Sequence, residues 1–289
     1  MKLSVFVVTY NQEQYIRQCL DSILSQQVNF DYEVVIGDDC STDSTGVICD
    51  EYAAKYTNLH VFHHKKNLGH VKNWEFVLQH CTGEYVAMAE GDDYWTDPHK
   101  LQMQVDFLDS HKDYYLSFHK VDLLYEQSNH PQETIFSQLE EREYSAREIY
   151  DTWTVLTSSV VFRNKIGPVE FPRNIFFSDI YLFLTIMQYG RAWCHDIHGV
   201  AYRRHAGNQS SSQSIRLAIR LYKQYCAMSH YFPSLQDITN ANKRQYLHDI
   251  AYNYVHEPSA LPYMFLYMTQ HPSKALSLKY WRRIIKNIA

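Results

Sequence analysis

Residues 3–24 read LSVFVVTYNQEQYIRQCLDSIL, and the architecture turns on how this stretch is read. Leu3 to Val8 is an unbroken β-branched and aromatic run, as expected of a strand covered on both faces. Asn11 then caps a segment whose apolar residues Ile16, Leu20, Ile23 and Leu24 fall at helical spacing. The pattern recurs. Tyr32 to Ile36 predicts a strand, Asp43 to Tyr56 a helix, Leu59 to His63 a strand, Val71 to His80 a helix and Tyr85 to Ala89 a strand. Such alternation builds a parallel α/β sheet, in which ligands gather at the carboxyl ends of the strands.

Further along, Asp97 and Pro98 predict the start of a helix carrying Leu101, Val105 and Leu108. Tyr114 to Leu124 and Val155 to Arg163 read as strands, separated by a capping box at Ser145-Ala146-Arg147-Glu148. Phe177 to Tyr189 predicts a helix stopped by Gly190, and Trp193 to Arg203 is extended again. Past the Ser210-Ser211-Ser212 loop the pattern is helical, with breaks near Pro233, Pro258 and Pro272. The expected division is therefore a catalytic domain of residues 1–210 and a helical extension of residues 211–289.

Composition narrows the function. The chain has 289 residues, 45% of them hydrophobic and 20% charged, which supports a sizeable core and argues against disorder. Lys and Arg total 27 against 32 Asp and Glu, a net charge of −5, so nucleic acid is not an expected partner. Aromatic residues reach 15%, a surplus suited to a groove for polar ligands or to an interfacial surface. The six cysteines lack CxxC spacing and read as reduced, so structural zinc is not expected. No apolar run reaches the roughly 18 to 20 residues of a bilayer span, and Met1 to Val8 is too short for a secretory signal, so a cytoplasmic protein is expected. Charge is unevenly spread: residues 258–289 hold Lys274, Lys279, Arg282, Arg283 and Lys286 and no acidic residue. That tail reads either as a peripheral contact with an anionic membrane or as a solvated helix end.

Two acidic clusters each follow a predicted strand: Gly37-Asp38-Asp39, and Glu90-Gly91-Asp92-Asp93. Carboxylates gathered at neighbouring strand ends repel one another until a divalent cation or hydrogen-bond donors neutralise them. Taken singly, each cluster also reads as turn formers and helix caps. Two clusters with adjacent aspartates on one sheet edge point instead to a cation shared with a diphosphate.

The stretches SVFVVTYNQEQYI (residues 4–16), IGDDCSTDST (36–45), Asn67 to Gly69 and GEYVAMAEGDDYW (83–95) resemble glycosyltransferase family 2 in order and spacing. Weaker echoes follow at residues 157–163, 177–184 and 202–210. The resemblance implies the GT-A fold, a Rossmann-type mixed sheet flanked by helices, with a C-terminal helical extension. It further implies inverting transfer of a sugar from a nucleotide diphosphate donor, UDP by default, to an acceptor hydroxyl. The acceptor class it implies is a surface glycan or a lipid-linked glycan at the inner membrane face. Carried onto this chain, Thr9, Tyr10, Asn11, Asp38, Asp39 and Asn67 line the nucleotide pocket, Asp92 meets the ribose, and Asp93 ligates Mn²⁺ or Mg²⁺. Arg204 pairs with phosphate and His205 joins the metal, although both also read as ordinary loop residues. Asp179 takes the place of the general base. Ser178 stands where the family usually has an acidic neighbour, and Asp179 also reads as a helix-start residue favoured by the dipole.

Two other classes remain open at this stage. A metal-dependent nucleotidyltransferase also gathers carboxylates at strand ends, but Thr9-Tyr10-Asn11-Gln12 is not a Gly- and basic-rich phosphate loop. A non-catalytic glycan-binding protein on the same scaffold would keep the nucleotide clusters without a working base.

Overall fold

The computed structural model describes residues 1–126, 133–205 and 214–272, which form two compact units. The first comprises Met1–Phe171 and residues 177–205; the second comprises Pro172–Phe176 and residues 214–272. The Ser210-Ser211-Ser212 loop and the basic tail from Lys274 lie outside the described residues.

The first unit opens with β1 (Leu3–Thr9), α1 (Ile16–Leu24), β2 (Tyr32–Asp38), α2 (Thr45–Ala53), β3 (Leu59–His63), α3 (His70–His80) and β4 (Tyr85–Glu90). It continues with β5 (Tyr94–Trp95), α4 (Lys100–Ser110), β6 (Tyr114–Tyr125), β7 (Arg142–Tyr144), α5 (Ala146–Thr152), β8 (Val161–Arg163), α6 (Ser178–Ile186) and β9 (Arg191–Arg204). The sheet order is β3-β2-β1-β4-β8-β6-β9-β5, with β7 also on β9. β1 to β4 are parallel, β8 runs against both β4 and β6, and β9 is parallel to β6. All seven residues of β1 are buried, as its lack of alternation requires for a central strand covered on both sides. α1 turns Ile16, Cys19, Leu20 and Ile23 onto that core.

Several local expectations shift. α1 starts at Ile16, and Asn11 adopts a left-handed φ of 52° instead of capping it. Its side-chain oxygen accepts from the Thr42 N–H, and its own N–H donates to Ser41, so Asn11 ties the β1 and β2 loops together. α4 begins at Lys100 because Asp97 accepts from the His99 N–H, closing a local turn before the helix. Of Val155 to Arg163 only the last three residues are strand; residues Thr157–Ser159 form one 3₁₀ turn, and the Ser159 hydroxyl donates back to the Leu156 carbonyl. The Ser145/Glu148 capping box is present as read.

Lys100 is fully buried with its ammonium 4.3 Å over the Trp95 ring, and burial brings its pKa down to about 7. The indole N–H of Trp95 donates to the Ser158 carbonyl. That packing joins the segment after the second acidic cluster to the 3₁₀ turn.

The second unit holds α7 (Ile215–Tyr231), α8 (Gln236–Asn253) and α9 (Leu261–Gln270) around Ile215, Leu247, Ile250, Ala251 and Met264. The Ser214 hydroxyl caps α7 by accepting from the Leu217 N–H. No helix among the described residues is long and apolar enough to cross a membrane.

Candidate active site

Register alone puts both acidic clusters on one edge. Thr9 ends β1 opposite Asp38 on one side, while Val8 lies opposite Glu90 on the other. Thr9 is buried and donates to Gln12; Tyr10, just beyond, is 46% exposed. Gly91 passes so close that a Cβ there would lie 2.4 Å from the Gln12 side chain and 2.9 Å from the Thr9 hydroxyl.

The first cluster organises its own loop. Asp38 accepts from the Ser41 N–H and hydroxyl and pairs with His63 at 3.0 Å. His63 uses its other nitrogen on Asp50; burial opposes its charge, but the bonds to Asp50 and Asp38 outweigh that and raise its pKa. Asp39 accepts the backbone N–H groups of Leu68 and Gly69 at 2.6 and 2.9 Å. Gly69 has a φ of 85°, and the turn so held delivers His70 to the start of α3. Burial pushes the His70 imidazole down to about 4, against the opposing field of Asp92. The turn anchored by the first cluster thus reaches the second.

The second cluster is desolvated and self-repelling. Glu90, Asp92 and Asp93 can each offer one oxygen within 4.8 Å of the others. Burial, then Asp92, Asp93 and Asp179, hold the Glu90 carboxyl well above the usual range, against a bond from Thr157. Burial and Asp92 do the same for Asp93. The Asp93 oxygens accept from the Ser158 hydroxyl at 2.7 Å and the Arg203 N–H at 3.0 Å, while Asp92 pairs with His205 at 3.0 Å. An all-oxygen carboxylate set with one imidazole at its border fits Mg²⁺ or Mn²⁺, hard ions whose charge would cancel this repulsion.

Asp179 is the second residue of α6, partly buried, with its pKa raised to about 6 chiefly by burial. Its field on Glu90 places it beside the second cluster. Asn67 is exposed in the segment leading to Gly69, and the Arg204 guanidinium lies 5.6 Å over the Tyr202 ring.

Sequence reasoning passed over Arg203. Its guanidinium donates to the Asp92 carbonyl at 2.6 Å and to Gln18, and it lies over the Tyr94 and Tyr15 rings. Strand alternation was the available signal, since residues two apart along extended chain share a face, which groups His205, just past the end of β9, with Arg203 and not with Arg204. Ser158, His63 and His70 carried no comparable signal.

Residues 4–166 match the family described as Glycosyl transferase family 2. The chain belongs to this family. An uncharacterized protein of Mycobacterium tuberculosis is 38% identical over 206 residues, which cover 71% of this chain and 59% of that protein. The chain therefore spans about six-tenths of that relative's length. Poly(ribitol-phosphate) beta-N-acetylglucosaminyltransferase TarS of Staphylococcus aureus is 39% identical over 113 residues, 38% of this chain and 19% of TarS. Among solved structures, S. aureus TarS 1–349 in complex with UDP-GlcNAc superposes with a TM-score of 0.63 at 23% identity, over 100% of this chain and 80% of that one. A mannosyltransferase, PcManGT from Pyrobaculum calidifontis, in complex with GDP-Man and Mn²⁺, gives 0.58 at 18% identity, over 99% and 84%. The GT-A fold of this family-2 chain is thereby established, as the sequence led us to expect.

Proposed function

We propose that this family-2 chain is an inverting glycosyltransferase that moves a sugar from a UDP-sugar to an acceptor hydroxyl of a surface or lipid-linked glycan. The observation that carries the reading is the convergence of Asp179 with Glu90, Asp92 and Asp93 at one sheet edge. The UDP-GlcNAc complex of TarS and the GDP-Man and Mn²⁺ complex of PcManGT support the donor class and the metal.

In this reading Thr9, Tyr10, Asn11, Asp38, Asp39 and Asn67 form the nucleotide pocket, with Asp38 accepting from the base and Asp92 close to the ribose. Glu90, Asp92, Asp93 and His205 would hold Mn²⁺ or Mg²⁺, which supplies Lewis-acid neutralisation of the departing diphosphate. Asp93, with both oxygens already accepting bonds, keeps lone pairs for coordination and braces the loop. Arg203 holds the Asp92 backbone, and Arg204 meets phosphate. Asp179 takes the proton from the acceptor hydroxyl on the face opposite the leaving group, where a carboxylate raised to about 6 is both ionised and basic at neutral pH. Residues 1–210 form the catalytic domain and residues 211–289 the acceptor-side or membrane-side extension.

Thermal shift with a panel of nucleoside diphosphates and their sugars tests this. UDP-GlcNAc or another UDP-sugar at a hundred times its Kd, with Mn²⁺, is expected to stabilise the protein by about 2.7 kcal/mol, and to do so far less without the metal. Absence of any nucleotide-dependent shift would overturn the reading.

The same reading places the protein in the cytoplasm at the inner membrane face. α9 leaves Phe265 59% exposed with Leu261 and Leu266 beside it, and the acid-free residues 258–289 carry five basic side chains. Each basic residue near an anionic surface adds about 1 kcal/mol of attraction. Flotation with anionic vesicles is expected to carry the full chain, to weaken in salt and to be lost on deleting residues 274–289. Equal, salt-insensitive behaviour of the two chains rejects membrane contact.

A further inference from the structure

The imidazole of His63 stands between two carboxylates. Strand register sets Asp38 and His63 opposite each other as the last pair of β2 and β3. Nδ1 of His63 lies 3.0 Å from Asp38 Oδ2, and Nε2 lies 2.9 Å from Asp50 Oδ1 on α2. The helix is shaped for this approach. A Cβ on Gly46, in the first turn of α2, would sit 3.1 Å from Asp38 Oδ2 and 3.3 Å from the His63 ring, closer than ordinary van der Waals contact. Gly46 and Asp50 are four residues apart, so one face of α2 supplies both the gap for the imidazole and the carboxylate that holds its far side.

These distances fix a protonation state. An ionised carboxylate has no proton to give, so both contacts are hydrogen bonds only when each ring nitrogen carries a proton and His63 is an imidazolium. Its surroundings favour that charge. β2 faces it with Asp38 and α2 with Asp50, while the Cys49 thiol near both carboxylates is pushed up to about 12, chiefly by burial, and stays uncharged. Of its neighbours along the chain, His64 gives its ring to Asn73 and His60 lies against Glu33. Burial opposes the charge on His63, the bonds to Asp50 and Asp38 outweigh it, and the pKa stands above its ordinary value.

We propose that His63 is a positioning residue for the nucleotide pocket, a doubly protonated bridge that ties Asp38 on β2 to Asp50 on α2 and so fixes the Asp38 carboxylate for the base of the donor. This role rests on the reading of Asp38 as the acceptor from the base, and deepens it. Ser41 holds Oδ1 of Asp38 through its N–H and hydroxyl, and His63 holds Oδ2, so the carboxylate is fixed at both ends. When His63 gives up its second proton, one of the two carboxylates faces a bare ring lone pair and the tie between strand and helix is broken. A bond that needs the imidazolium is complete at low pH and is lost as pH rises through the raised pKa of His63, so donor affinity falls on the alkaline side.

Calorimetry of UDP binding with Mg²⁺, between about pH 6 and pH 8.5, tests it in the parent, His63→Gln and Asp50→Asn. The ionisations of UDP itself are common to all three proteins, so the slopes are compared. We expect the affinity of the parent to fall by about three- to tenfold more than that of His63→Gln over this range, the loss of one hydrogen bond. His63→Gln, which cannot carry the charge, should bind more weakly than the parent at pH 6. Asp50→Asn should flatten the decline, because its amide can donate to a bare ring nitrogen and leaves the one remaining imidazole proton for Asp38. Nitrogen NMR, with His63 assigned by its absence from His63→Gln, should find both ring nitrogens protonated at pH 6. Equal slopes in the parent and the variants, or a His63 ring with a single proton at pH 6, would overturn the role of His63. The slope of Asp50→Asn decides the matter if His63→Gln does not fold. A parent protein that binds no UDP at any pH overturns the nucleotide-pocket reading itself, whereas UDP bound with one slope in all three proteins overturns the role of His63 alone.

Discussion

Asp179→Asn should lower the transfer rate by about 10²- to 10⁴-fold, the usual contribution of a positioned general base, while UDP and Mn²⁺ still bind. The amide keeps the shape of the carboxylate and can still accept from the Ile180 N–H, as the carboxylate does at 2.8 Å, so the start of α6 is preserved. What is lost is the capacity to take a proton. Because burial raises the Asp179 pKa to about 6, the parent enzyme should lose activity as pH falls through about 6, when the carboxylate becomes protonated and can no longer act as base. Asp179→Asn should show no such limb. Rates measured between pH 5 and 8 with UDP release as the readout check both statements. Unchanged transfer with unchanged nucleotide binding would remove Asp179 from the mechanism; absence of transfer in the parent as well would favour a glycan-binding protein on this scaffold.

Asp92→Asn should abolish the metal-dependent part of donor binding without lowering the stability of the metal-free protein. Glu90, Asp92 and Asp93 crowd their charges in a desolvated corner, and the carboxyls of Glu90 and Asp93 are pushed upward by burial and by Asp92. A carboxyl with a raised pKa binds a proton in the folded state that the unfolded chain has released, so metal-free stability falls as pH rises above the ordinary carboxylate range. Neutralising Asp92 relieves that repulsion, at the expense of its partly buried pair with His205. Thermal melts with UDP, with and without Mn²⁺ and then with excess chelator, should show a metal response in the parent and none in the variant. Asp93→Ala should differ in kind. It strands the Ser158 hydroxyl and the Arg203 N–H, so it should cost about 1–3 kcal/mol of stability besides losing the metal response. Equal metal responses in Asp92→Asn and the parent would move the ion elsewhere.

These contrasts show how far local sequence reaches. Leu3 to Val8 and Val34 to Ile36 announced central strands because a strand covered on both faces is apolar on both, and the one polar side chain in these runs, Ser4, is buried only by donating to Glu33 of β2. The paired aspartates announced a strand-end cluster because they recur after two predicted strands of one sheet, and the structure adds why Gly91 stands between them and β4: a Cβ there would meet Thr9 and Gln12. The helix starts were less legible. Asn11 and Asp97 have the side chains of caps, yet Asn11 spends its oxygen on the Thr42 N–H of the loop folded against it, and Asp97 spends its own on the His99 N–H of a local turn ahead of the helix.

The sequence by itself determined the α/β alternation, the edge on which both aspartate pairs stand and the residue types available to neutralise a cation, since all of these depend on local periodicity and on chemistry repeated at strand ends. Only the tertiary structure decided which oxygen does what. Asp39 is committed to the Leu68–Gly69 turn, Asp93 to Ser158 and Arg203, and Asp92 to His205, while Asp179 reaches Glu90 from a helix about ninety residues further along the chain. Those pairings follow from where β9, α6 and the 3₁₀ turn pack. Long-range packing selects among hydrogen-bond partners that are equivalent in a local reading.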